Sequence, residues 1–149
     1  MIKGLIIKKL KQIDDEKGKV MHMLRSDSES FTKFGEIYFS AIKPGVVKAW
    51  KRHLRMTQNF AVPVGRIRLV VYDDRKNSVS NGKIKVMEIG EDNYCLVIVP
   101  PMVWYGFKGI SSAPALIVNC TDLVHDPNEI EHLNPVNKKI PYDWNLKND

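Results

Sequence analysis

Between Ile37 and Tyr72 this chain carries no aspartate and no glutamate, while the same stretch holds Lys43, Lys48, Lys51, Arg52, Arg55, Arg66 and Arg68. These seven cations outnumber the formal net charge of +6 of the whole 149-residue chain. Such a local excess leaves two readings, a solvated basic face or a pocket that holds an anion such as phosphate. Cysteine is scarce. Cys95 and Cys120 each sit in an apolar run, which excludes a disulfide framework and fits buried thiols in a reducing compartment. No apolar run reaches membrane-spanning length without proline or charge, and the one in MIKGLIIKKLKQ is too short for a signal-peptide core. The expectation is a soluble cytoplasmic protein. With no low-complexity tract or repeat, 44% hydrophobic and 27% charged residues describe ordinary globular material. The length fits one domain, 1–149, with a core that needs no metal or disulfide.

What the chain does contain is short runs rich in β-branched and aromatic residues: KGLIIKK, GKVMHML, GEIYFSAI, VVKAW, QNFAVPV, RIRLVVY, GKIKVMEI, YCLVIVP, WYGFKG and PALIVNC. Turn signals such as PG, NG and GEDN separate them. This spacing predicts an all-β sandwich or barrel. A helix is predicted only over DPNEIEHL, where Asp126 caps, Pro127 takes the first helical position and Glu129 completes a capping box. The tail PVNKKIPYDWNLKND reads as a surface segment anchored by Tyr142 and Trp144.

The stretch GVVKAWKRHLRMTQNFAVPVG keeps the spacing of a cupin first motif, in which two histidines and a glutamate between two glycines bind metal inside a double-stranded β-helix, or jelly-roll, barrel. Gly45 and Gly65 hold the glycine positions; Lys51, His53 and Gln58 hold the three ligand positions. The second motif resembles Pro100, Met102 and Tyr105, with Tyr105 in place of a ligand histidine. An ammonium is a poor metal ligand, so the resemblance is to a metal-free cupin. Alternation along a strand places Lys51 and His53 on one face, with Lys48, Trp50 and Arg52 on the other. The bland alternative makes Lys51 a rim residue and His53 a hydrogen-bonded core histidine.

From Met1 to about Trp144, the segments DEKGKVMHMLRSD, GVVKAWKRHLRMTQNFAVPVGRIRLVVYDDR, VPPMVWYGFKG, NCTDLVHDPNEIE and IPYDW resemble the dTDP-4-dehydrorhamnose 3,5-epimerase family. The resemblance implies a cupin homodimer of surface-polysaccharide biosynthesis without metal or cofactor, acting on nucleotide-linked 4-keto-6-deoxy sugars. No run long enough to span a membrane points to a membrane partner, and the apolar alternation around the basic positions argues against nucleic acid. The implied chemistry removes a proton beside the ketone and returns one on the opposite face. The family's base falls on Lys51, its acid tyrosine on Val118, the carboxylate that orients the base on Asn134, and its active-site lysine on Gln58. Two assignments follow: Lys51 as a base with lowered pKa, or His53 as base with Lys51 as the cation that holds the enolate. Tyr105 or Tyr38 then supplies the acid. Arg66 and Arg68 read either as diphosphate contacts or as solvent-facing residues, Lys48 as a substrate-binding candidate, Lys17 and His22 as nucleotide contacts, and Trp104, Phe107 and Tyr38 either as stacking on a base or as core. Asn119 and Asp122 read either as contacts or as turn residues, and His125 as structural. Three functions stay open: an epimerase or isomerase, a cupin that binds a nucleotide sugar without turnover, and a basic barrel that binds nucleic acid.

Overall fold

The computed structural model describes residues 1–145. Twelve strands form: β1 Ile6–Lys9, β2 Gln12–Asp15, β3 Gly18–Met21, β4 Glu36–Ile42, β5 Val47–His53, β6 Gln58–Val64, β7 Arg66–Tyr72, β8 Ile84–Gly90, β9 Cys95–Val99, β10 Trp104–Gly109, β11 Ala115–Thr121 and β12 Ile130–His132. One five-stranded sheet has the order β1-β9-β6-β11-β4 and a second the order β12-β5-β10-β7-β8, with β2-β3 as a separate hairpin. The two sheets face each other as a jelly-roll sandwich, so the cupin-type, all-β reading holds. Among the described residues no helix is long and apolar enough to cross a membrane.

Each predicted run overlaps one of these strands, because β-branched and aromatic side chains fit a pleated, half-buried surface. Inward-facing residues such as Val62, Leu69, Val71, Val97 and Ile117 fill the space between the sheets. A second cluster, Trp50, Val70, Trp104, Ile140 and Trp144, covers the outside of the second sheet. There the tail is anchored as predicted, with Trp144 at 5.0 Å and Tyr142 at 6.2 Å from the Trp50 ring.

The predicted helix is corrected to one 3-10 turn, Pro127–Glu129, capped by Asp126 accepting from the Asn128 N–H. The chain leaves it extended, and Ile130, Glu131 and His132 pair with His53, Arg52 and Lys51 at the open edge of β5. A ladder partner satisfies the backbone that a longer helix would have satisfied. Pro63 is tolerated within a central strand for a local reason. β9 pairs only with Gln58, Asn59 and Phe60, and a bulge separates the Val64 and Ala61 pairings with β11.

Another bulge decides the site. Tyr105 pairs with Lys51, but Phe107 pairs with Lys48, so two steps along β10 match three along β5. Ala49 and Trp50 both join the outer cluster, and strict alternation fails. Lys48, predicted to point away from Lys51, turns inward beside it. Gly106 makes this possible: a Cβ there would run into Ala49 and lie 3.0 Å from Trp144 Cζ2. Gly106→Ala is therefore expected to destabilise the fold by about 1–3 kcal/mol through overpacking, read as a lowered urea midpoint with unchanged slope.

Candidate active site

The second sheet supplies a chain of buried polar groups. His53, near the end of β5, presents Nδ1 to Glu129 Oε1, and its Nε2 lies 3.1 Å from the Tyr105 hydroxyl on β10. The other carboxylate oxygen of Glu129 accepts the backbone N–H groups of Arg55 at 3.0 Å and Met56 at 3.2 Å. Burial opposes ionisation of Glu129, but these donors outweigh it and hold its pKa below the usual value. An ionised Glu129 can only accept, so the Nδ1 of neutral His53 carries the proton and Nε2 accepts from Tyr105. Burial lowers the His53 pKa, with Glu129 pulling the other way, and burial raises that of Tyr105 well above the ordinary phenol value. A neutral imidazole beside a protonated phenol results.

Next to this chain stands Lys51, whose pKa is lowered by desolvation and by the Lys48 ammonium. Lys48 itself is tied to the Ala41 carbonyl at 3.1 Å. The opposite sheet forms the other wall. Asn119 on β11 donates to the Tyr38 hydroxyl on β4 at 2.8 Å and to Gln58 Oε1 at 2.6 Å. Burial raises the Tyr38 pKa, keeping the phenol protonated. Between the walls is a cleft of about 270 Å³ lined by Tyr38, Lys51, His53 and His125, with a recess of about 30 Å³ reached past Lys48, Tyr105 and Asn119. A larger cavity, about 610 Å³, lies between Val47 and the tail and touches none of the predicted site residues.

Of the old ligand positions, 51, 53 and 105 converge, now as an amine, an imidazole and a phenol, while Gln58 is linked to the cleft through Asn119. Met102, at the glycine position of the second motif, has φ 64°, so the backbone turn outlives its usual residue. Gln58 is buried within the first sheet, and its Nε2 has no partner. Other expectations are redirected. Val118, expected as the acid position, pairs with exposed Phe39 and lies on the face away from Ile117 and Asn119. Asn134 closes a turn by accepting from the Val136 N–H, and Glu129 takes the carboxylate role instead. His125, read as structural, lines the cleft.

The arginines are not brought to the cleft as an anion cradle. Arg66 pairs with Asp92 at 2.9 Å and Arg68 with Glu88 at 2.8 Å, on the outward face of β7. Arg52 bonds Asp74 at 2.9 Å and also Glu131, and its guanidinium covers the Trp104 ring at 4.5 Å. Trp104 is thereby core, whereas Phe107 and Tyr38 line the recess. Arg55 reaches Asp126 at 3.4 Å. Lys17 sits in the β2-β3 turn, and His22 lines a separate groove with Lys8 and Lys11. Carboxylates from distant segments thus neutralise the arginines of the acid-free stretch, and among the described residues none pairs with Lys48 or Lys51.

Sequence reasoning missed Glu129 as a site residue because its spacing from Asp126 also satisfies a capping box. No local signal marks it, because the pairing of Ile130 with His53 that brings Glu129 to the histidine exists only in the fold.

Comparison with known proteins agrees with this architecture. The family profile described as dTDP-4-dehydrorhamnose 3,5-epimerase matches residues 1–149. The chain is 36% identical over 131 residues to the probable low-salt glycan biosynthesis epimerase Agl13 of Haloferax volcanii, covering 87% of this chain and 81% of that one. It is 32% identical over 143 residues to the spore coat polysaccharide biosynthesis protein SpsL of Bacillus subtilis, covering 96% and 91%. The crystal structure of a dTDP sugar isomerase from Desulfovibrio desulfuricans G20 superposes with a TM-score of 0.94 at 49% identity, covering 96% of this chain and 92% of that one.

Proposed function

This chain belongs to the dTDP-4-dehydrorhamnose 3,5-epimerase family, and from that premise we propose that it epimerises or isomerises a nucleotide-linked 4-keto-6-deoxy sugar by proton transfer beside the ketone. The observation that carries this reading is the cleft with His53, Tyr105 and Lys51 on one sheet and Tyr38 on the other. Inversion at carbon needs a base on one face of the sugar and an acid on the other, and two facing sheets supply that separation.

A C4 ketone acidifies the hydrogens on C3 and C5. His53, neutral and aligned by Glu129, is the proton acceptor of the pair, with Tyr105 as the hydroxyl that passes the proton between Nε2 and the cleft. Lys48, tethered beside Lys51, sets positive charge near where the enolate oxygen develops. Tyr38, its oxygen fixed by Asn119, returns the proton from the far wall. Lys48 and Lys51, with no carboxylate partner among the described residues, give the cleft a cationic wall that supports a small anionic ligand. A role in glycan synthesis, a homodimeric state and a cytoplasmic location belong to the same reading. The first is supported by the glycan and spore-coat relatives.

The test is proton NMR in heavy water with a panel of dTDP-, GDP-, CDP- and UDP-linked 4-keto-6-deoxy sugars. Enzyme-dependent loss of the C3 or C5 hydrogen signal is expected with one nucleotide preferred, slowed about 10²–10⁴-fold in His53→Ala. Silence across the panel, with a ligand-dependent rise in Tm intact, would instead mark a protein that binds without turnover.

A further inference from the structure

Lys51 is unlike the arginines of its stretch. It faces the cleft on the inner side of the β5 bulge, and its ammonium has neither a carboxylate nor a hydrogen-bond partner among the described residues. A carboxylate would have held it charged; instead its neighbour is a second lysine, and that lysine is tethered to Ala41. A fixed ammonium beside a second amine is an arrangement that favours the neutral, nucleophilic form of that amine. Lys51 is also the register partner of Tyr105, and both line the recess, so the amine shares a wall with the phenol that ends the Tyr105–His53–Glu129 chain. Nucleophile, proton relay and cleft therefore coincide.

We propose that Lys51 forms a Schiff base with the C4 carbonyl of the keto sugar, so that proton transfer at C3 or C5 passes through an iminium and enamine instead of a free enolate. The inference rests on the keto-sugar reading above. The Lys51 nitrogen lone pair attacks C4; the N–C4 bond forms, and the carbonyl π pair moves to oxygen. That oxygen takes a proton through Tyr105, and the amine proton passes back to the same relay. The carbinolamine hydroxyl then takes a further proton, the C4–O bond breaks, and water leaves as the nitrogen lone pair closes the iminium. Formation of the iminium thus consumes one proton and releases one water. The iminium draws the electrons of the adjacent C–H bond into an enamine as His53 and Tyr105 accept the proton. Tyr38 protonates the same carbon from the opposite wall, and water adds back at C4 to release ketone, amine and the consumed proton. No oxidant, reductant or other co-reactant is involved. Lys51 would thereby take over, covalently, the charge stabilisation that an ammonium gives only at a distance.

The experiment incubates the intact protein with the same panel of dTDP-, GDP-, CDP- and UDP-linked 4-keto-6-deoxy sugars and sodium cyanoborohydride, followed by intact mass and peptide mapping, alongside C3 and C5 deuterium exchange. The expected result is one adduct per chain, located at Lys51 and falling to background in Lys51→Arg. That variant keeps the positive charge but is expected to lose exchange at least tenfold. Exchange in the wild type with no adduct, adducts scattered over surface lysines, or undiminished exchange in Lys51→Arg would overturn the covalent step and leave the epimerase reading standing. An adduct at Lys51 with no exchange at C3 or C5 would support the covalent step and overturn epimerisation, and the absence of both signals would overturn both. Lys48→Met serves as the second variant: a loss of adduct with unchanged Tm is expected, and an undiminished adduct would remove the paired-lysine argument.

Discussion

Glu129→Gln is expected to reduce turnover about 10³–10⁴-fold, the size associated with locking a catalytic histidine in the wrong tautomer. In the wild type one carboxylate oxygen accepts two backbone N–H groups and the other faces His53 Nδ1. Glutamine has a single acceptor oxygen, and the backbone donors at Arg55 and Met56 claim it. Its NH₂ then points at Nδ1 and forces the proton to Nε2, which can no longer accept from Tyr105 or from the cleft. The measurement is kcat as a function of pH beside an unfolding curve for each protein. Wild-type activity should fall on the acid side as His53 protonates, at a pH below the ordinary imidazole value because burial lowers its pKa. In the variant the rate should be low throughout. Because the Glu129 pKa is depressed on folding, its contribution to stability is present above its unfolded value and lost as pH falls through the folded one. Glu129→Gln should remove that part of the acid sensitivity.

The largest effect on stability is expected from Asp73→Ala, a loss of about 3 kcal/mol from a broken buried ion pair and its hydrogen bonds. Asp73 is fully buried. Its carboxylate accepts from the Arg75 backbone N–H at 3.0 Å, Arg75 Nε at 2.8 Å and the Ser78 and Ser80 hydroxyls, each at 2.6 Å. These same partners hold the amino terminus: the Lys3 N–H donates to Ser80 Oγ and Arg75 donates to the Lys3 carbonyl, each at 2.7 Å. Ile2 and Leu5 are buried in the core just beyond. Removing the carboxylate therefore strands two hydroxyls and a guanidinium and loosens a segment that seals the core. Burial works against ionisation of Asp73, but Arg75, Ser78 and Ser80 outweigh it and hold its pKa well below the usual carboxylate range. Its stabilising contribution is present above the unfolded aspartate value near pH ~3.9 and is lost only as pH falls through the lower folded value. Urea midpoints at neutral pH and in acid check both parts. A large loss at pH 7, with a flatter acid dependence than the wild type, is expected, and equal midpoints would contradict the assignment.

How much of this was legible beforehand depended on the range over which the cause acts. β1 and the strands from β3 to β11 could be read because side-chain shape and turn chemistry act within a few residues. β12 could not, since its sequence suits a capped helix and only the open edge of β5 makes it a strand. Lys51, His53 and Tyr105 were found through spacing alone, and the fold brings them together. Lys48 was put on the wrong face because an alternation rule has no means of knowing that Gly106 leaves room for a bulge. Arg66 and Arg68 looked available because their partner Glu88 lies twenty or more residues away in another strand.

The chain by itself therefore determined the all-β sandwich, the positions of its turns and the concentration of positive charge in one stretch, since these follow from local conformational preference and composition. Only the tertiary structure decided which cations remain unpaired, that Glu129 meets His53 across 76 residues, and that Tyr38 faces them from the other sheet. Those outcomes rest on ion pairing, bulge geometry and burial, and such interactions exist only once distant segments have packed.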